Sequence, residues 1–177
     1  MKRISVALAL LAASTAAIAN TGTIQFKGKI TDATCAIEVV DPISGAVNSM
    51  IQLGNYSKDY FTGANQRTPA RAFQLLIKDG AKCGFTAGDK VTVTYTGLDG
   101  VSGNYYGIKG GNGSAGGIAV ALKDKADDVK PDTPSTEYVV NETGETRLSF
   151  SAALVSTAAA VTAGAVDSDI QFVVNLP

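Results

Sequence analysis

The sequence contains no histidine and no tryptophan. Without His the commonest general base and metal ligand is missing, so neither a Ser-His-Asp triad nor the His-rich metal site of a copper–zinc sandwich enzyme can be built. Cysteine is nearly absent: only Cys35 and Cys83 occur, too few and too distant for a metal site or a reactive thiol centre. Neither sign of charge dominates, with 15 Lys and Arg against 16 Asp and Glu for a net of −1. The charges are interspersed, so there is no clustered basic surface for nucleic acid or anionic lipid. Beyond the first twenty or so residues no stretch approaches the length of a transmembrane helix. Helix-period segments are scarce, and no repeat of about 20–50 residues is visible.

What is present begins with an address. Residues 1–19 read as a secretory signal peptide: Lys2 and Arg3 give a basic start, residues 4–13 an apolar run too short to span a bilayer, and Ala17-Ile18-Ala19 small residues at the cut. The remainder, from Asn20, is one domain's worth of chain. In an exported protein an even pair of cysteines normally forms a disulfide, so Cys35 and Cys83 are expected to be bonded. On the chain-entropy model a loop of that size contributes roughly 4 kcal/mol.

Short strand-like runs recur between turn signals, the mark of an all-β sandwich or barrel. The first, 23–31, places Ile24, Phe26 and Ile30 on alternate positions with a notch at Gly28, and Gln25, Lys27 and Lys29 on the other face. Strands are expected over 33–40, 47–53, 72–77, 90–96, 117–122, 137–140, 146–154 and 169–176, with turns at Asp41-Pro42 and Asp79-Gly80. Segment 56–70 reads as a loop with room for a short helical turn, 103–117 as a glycine-rich loop, and 123–135 as a polar surface connection. Alanine-rich 151–165 favours helix by propensity, but its Val and Thr residues and the closing Gly164 make it a strand running into a loop.

The motifs carry little chemistry. A phosphate cradle needs Gly-Lys-Ser/Thr at its end, whereas Gly116-Gly117 is followed by Ile118; a hairpin loop is the better account. The sequons at Asn55, Asn112 and Asn141 are too short to carry weight. Asp124, Asp127, Asp128 and Asp132 could in principle supply paired carboxylates, but they crowd one polar connection and read as a solvated loop. Tyr105 and Tyr106 point to opposite faces of a strand, so at most one is exposed, which is thin support for sugar binding. The chain is therefore expected not to be an enzyme and to use no cofactor, metal or small-molecule substrate.

The two terminal strands match each other: Ile24, Phe26, Gly28 and Ile30 at the front, and Ile170, Phe172, Val174 and Leu176 at the back. A free, half-apolar strand is a liability unless something accepts it. Here the chain resembles a subunit of chaperone–usher fimbriae of the type 1 kind, and a major pilin in particular. Residues 22–30 followed by Ala33-Thr34-Cys35 are similar to the family's N-terminal extension and first cysteine. Ile51-Gln52-Leu53-Gly54 resembles its following strand end, and Ala72-Phe73-Gln74-Leu75 through Cys83 its second cysteine block. Gly164 is the fourteenth residue from the end, where the family carries a glycine. The penultimate position departs from the family's usual aromatic: Leu176 keeps it apolar, and Pro177 lacks an N–H.

The resemblance implies an incomplete immunoglobulin-like sandwich that lacks its last strand and is completed by a donor strand from another subunit. It divides the chain into a signal peptide (1–19), a donor-strand extension (20–32) and a pilin domain (33–177). Ile24, Phe26, Gly28 and Ile30 would be donated, while Gly164, Ile170, Phe172, Val174 and Leu176 would form the edge strand that chaperone and donor contact. The implied partners are identical or related pilins in a head-to-tail polymer, a periplasmic chaperone and an outer-membrane usher. The implied place is a surface fimbria, reached through the periplasm. The competing readings are a minor or tip adaptor subunit and a single-domain, lectin-like carbohydrate-binding module.

Overall fold

The computed structural model describes residues 35–101 and 103–177. Its strands are β1 (Ile37–Val40), β2 (Arg71–Ile77), β3 (Lys90–Gly97), β4 (Asp99–Val101), β5 (Tyr105–Tyr106), β6 (Ile118–Lys123), β7 (Asp128–Val129), β8 (Tyr138–Val139), β9 (Thr146–Ser156) and β10 (Ile170–Asn175). One sheet runs β1-β2-β9-β6-β5-β4 with β7 on β6, and the other runs β10-β3-β8. Every pairing between these strands is antiparallel.

Alternation builds the core, because side chains on successive strand positions face opposite ways. Val91, Val93 and Tyr95 of β3 are buried while the threonines between them are only partly so. In β2 and β9 the pairs Phe73↔Phe150 and Leu75↔Leu148 bring buried side chains together. Phe150 stacks with Phe73 and meets Tyr95 edge-on across the two sheets, with ring centres 5.8 and 5.3 Å apart. Five residues of β6 are buried in a row, because Ala119 and Ala121 face a second small cluster with Val155 and Tyr105.

A constant-type immunoglobulin sandwich packs strands A, B, E and D on C, F and G. Here β1-β2-β9-β6 follows the A-B-E-D path and β3 with β10 follows C and F. Among the described residues no strand takes the place of G. The far edge of the second sheet is fixed by β8: Tyr138 donates its hydroxyl to the Ser149 carbonyl of β9, and Thr136 N–H donates to Asp124 after β6. That places β8 over the β9–β6 side and β10 at the opposite edge.

Several segments differ from the sequence expectation. Residues 47–53 are not a strand: only Val47 bridges to Val40. Asp79-Gly80 starts a single helical turn (α1, Gly80–Cys83), because the Asp79 carboxylate accepts from Ala81 N–H and caps it. The loop over 56–70, by contrast, is as expected and holds its short helical turn as a 3-10 turn, Lys58–Tyr60. The connection over 123–135 is not wholly solvated: Val129, Asp124 and Ser135 are buried. The strand expected over 146–154 continues to Ser156 before the alanine-rich loop.

Candidate functional site

The site is an edge. On one side β10 is laddered to β3, from Ile170↔Gly97 to Asn175↔Thr92; on the other, no described strand pairs with it. Its alternation gives Ile170, Phe172 and Val174 to the core and Gln171, Val173 and Asn175 to the outside. The inward residues are only half-buried, whereas Val91, Val93 and Tyr95 on neighbouring β3 are at most 3% exposed. Phe172 packs at 6.3 Å on the Tyr95 ring. Asn175 Nδ2 donates to the Thr92 and Thr94 hydroxyls at 3.1 and 3.0 Å, fixing the strand's end. Leu176, beyond the strand, is 43% exposed.

A second bare edge accompanies it. Ile51, Leu53 and Tyr56 lie half-buried against the same core, with exposed residues between them. Among the described residues the main chain of 51–56 makes no hydrogen bond. Main-chain donors and acceptors without partners beside apolar side chains are what an added strand uses. Sequence alternation reveals which face turns inward; it does not reveal that the partner is missing, so 47–53 reads like any other strand.

Gly164 occupies a different place from the other C-terminal residues. It lies before β10, against the glycine-rich loop, where a Cβ would sit 2.3 Å from Ser114 C and 2.4 Å from Ala115 N. Only glycine permits this approach. Ala115 N–H donates to Ala165 O at 2.9 Å, Ala165 N–H to Gly113 O at 2.7 Å, and Thr162 N–H to Gly116 O at 3.0 Å. Gly164 thus clamps the segment that feeds β10. Ile24, Phe26, Gly28 and Ile30 lie outside the described residues.

Cys35 and Cys83 form the expected disulfide, closing a sequence separation of 48 with Cα atoms 4.5 Å apart. Both pack on the core beside β1.

The carboxylates of Asp124, Asp128 and Asp132 are engaged structurally. Burial pushes the Asp124 carboxyl up, but N–H donation from Thr136, Ala126 and Asp127 outweighs it and holds the group below its ordinary 3.8. Asp128 forms a two-pronged pair with Arg67, which lowers its pKa and raises that of Arg67. The Arg67 guanidinium also lies 5.6 Å from the Tyr105 ring centre. Asp132 accepts from the Thr96 hydroxyl. Tyr105 is half-buried and Tyr106 fully buried, opposite faces as the sequence indicates. Among the described residues no group of His, Cys, Asp or Glu is placed to hold a metal ion.

Among the described residues the sandwich thus leaves two edges, β10 and 51–56, open around one core. The family model for fimbrial proteins matches residues 24–176. The chain belongs to the fimbrial protein family. As a fimbrial protein it is a structural subunit of a fimbria, exported to the cell surface.

The fimbrial protein is 28% identical to the probable major fimbrial subunit LpfA of Escherichia coli O157:H7, over 97% of this chain and 95% of that one. It is 30% identical to the A chain of the type-1 fimbrial protein of Escherichia coli K12, over 94% and 92%. Among solved structures its fold is similar to the P pilus rod subunit PapA, with a TM-score of 0.61 at 18% identity, covering 82% of this chain and all of that one. A chaperone–usher pilus subunit gives a TM-score of 0.62 at 20% identity, covering 89% and 96%.

Proposed function

We propose that this fimbrial subunit polymerises head to tail, with residues 20–32 of one copy completing the open sandwich of the next. The observation that carries the reading is the pair of edges, β10 and 51–56, left open among the described residues and lying on the core that β1 and β3 also cover. The family match begins at Ile24, within the alternating segment. Ile24, Phe26 and Ile30 each supply an apolar side chain whose burial is worth roughly 1.5–3 kcal/mol, and the main chain supplies ladder bonds to the two edges. Gly28 fits where the acceptor leaves no room for a side chain. Ile170, Phe172, Val174 and Leu176 form the accepting wall, with Gly164 holding its approach.

Before assembly the same edges need a temporary strand, the role of a periplasmic chaperone, and an outer-membrane usher then exchanges that strand for the next subunit's. Such a joint does not close on itself and so extends as a filament. It releases slowly, because the whole strand must leave at once. The reading gives the chain no catalytic role, in keeping with a family of structural subunits.

The Gly28→Arg variant tests this. It is expected to accumulate as a folded subunit bound to chaperone and to yield no fibres by electron microscopy. Normal fibre yield would overturn the reading. So would a chain deleted for 20–30 that stays folded, monomeric and indifferent to a peptide of residues 20–32.

A further inference from the structure

The glycine-rich loop has chemistry that assembly does not use. Asn112-Gly113 is the one Asn-Gly step in the sequence. It forms the tip of an exposed turn in which Ser114 N–H donates to Gly111 O at 3.2 Å. Gly113 has a left-handed φ of +86° and its added Cβ would meet nothing within 4 Å. Its carbonyl accepts from Ala165 N–H, but among the described residues its own N–H donates to no acceptor. The Asn112 carboxamide is exposed and likewise makes no hydrogen bond there.

We propose that Asn112 is a site of spontaneous deamidation, and that its conversion loosens the clamp between this turn and the segment leading into β10. The reaction needs a main-chain nitrogen that can lose its proton and reach the preceding side chain. A donated hydrogen bond or a following side chain hinders both, and Gly113 has neither. The Gly113 nitrogen loses its proton to base and attacks Asn112 Cγ. The N–Cγ bond forms, the Cγ–Nδ2 bond breaks, and ammonia leaves with a proton from solvent. Water opens the resulting succinimide at either carbonyl, giving aspartate or isoaspartate. One water enters, one ammonia leaves, and nothing is oxidised or reduced.

Other asparagines lack this combination. Asn104 precedes Tyr105; Asn141 precedes Glu142 and donates Nδ2 to Glu145 O; Asn65 precedes Gln66 and accepts from the Tyr105 hydroxyl. The consequence follows from the clamp. Isoaspartate lengthens the main chain beside Gly113, whose carbonyl holds Ala165. Gly164 sits too close to Ser114 and Ala115 to take up a displaced loop.

The test is incubation of the purified fimbrial subunit in mildly alkaline buffer at body temperature, followed by tryptic digestion and mass spectrometry with isoaspartate methyltransferase labelling. The peptide spanning 110–123 should gain aspartate and isoaspartate about tenfold or more faster than any other Asn peptide, roughly 1.4 kcal/mol in barrier. The rate should rise in proportion to hydroxide, and the Asn112→Gln variant should show no label there. Amide hydrogen exchange at Ala115 and Ala165 should accelerate in the aged protein and not in aged Asn112→Gln. Conversion of Asn112 no faster than that of Asn104 or Asn141 would overturn the site. Full conversion with unchanged exchange at Ala115 and Ala165 would overturn its consequence.

Discussion

Three tyrosines separate what a buried hydroxyl does from what its ring does. Tyr106 donates to Val129 O at 3.1 Å, and Tyr138 to Ser149 O at 2.7 Å. Burial pushes the Tyr138 phenol up to about 12. Tyr95 is as buried, yet among the described residues its hydroxyl has no partner, and burial pushes its pKa up further. A desolvated hydroxyl without a hydrogen bond contributes nothing and costs about 1–3 kcal/mol. Tyr95→Phe should therefore leave the urea midpoint equal or higher, while Tyr106→Phe lowers stability by about 0.5–1.5 kcal/mol. A clear loss in Tyr95→Phe would show that this hydroxyl is bonded after all. The sequence indicated that Tyr105 and Tyr106 face opposite ways; it could not place Val129, which sits in a stretch that looks wholly polar.

Among the elements, long alternating segments were the readable ones. Strands β2, β3, β6, β9 and β10 lie within two residues of where periodicity puts them, because Val91-Thr92-Val93-Thr94-Tyr95 and similar patterns have one stable way to meet a core. Two local features escaped that logic. Asp79 caps a helical turn because its carboxylate reaches Ala81 N–H and Gly84 takes the left-handed conformation that ends it. Segment 51–56 keeps its inward alternation although, among the described residues, its main chain has no neighbour to hydrogen-bond. Gly164 was legible as a glycine at a set distance from the end, but its reason, contact with a loop far away in sequence, was not. Gly164→Ala should push residues 113–116 aside and lower stability by about 1–3 kcal/mol, measured by thermal unfolding. An unchanged melting temperature would mean that the clamp gives freely.

For the molecule as a whole, acid is a condition that two ties of the fold respond to. Asp124 ties the end of β6 to Thr136, and Asp128 ties β7 to Arg67. Both carboxyls titrate below their ordinary 3.8 in the folded chain. Their stabilisation is therefore complete above that value and is lost as pH falls through the lower folded values. Urea midpoints should be level from neutral pH to about 5 and drop below about 4. Asp124→Asn should flatten that drop while lowering stability at neutral pH. A midpoint that stays constant down to the acid limit would show these ties to be dispensable. The disulfide, the fold class and the family were readable from Cys35, Cys83 and the matched termini. The ties were not, since nothing in a run of aspartates says which one will be enclosed.

The covalent bridge also decides how the subunit bears load. Tension entering from the N-terminal side reaches Cys35 before any residue of β1, and Cys35 is bonded to Cys83 at the end of α1. Force is thus passed directly to the segment between β2 and β3. The β1–β2 ladder, which would unzip one rung at a time if pulled from its first residue, is relieved of part of that load while the sulfurs remain joined.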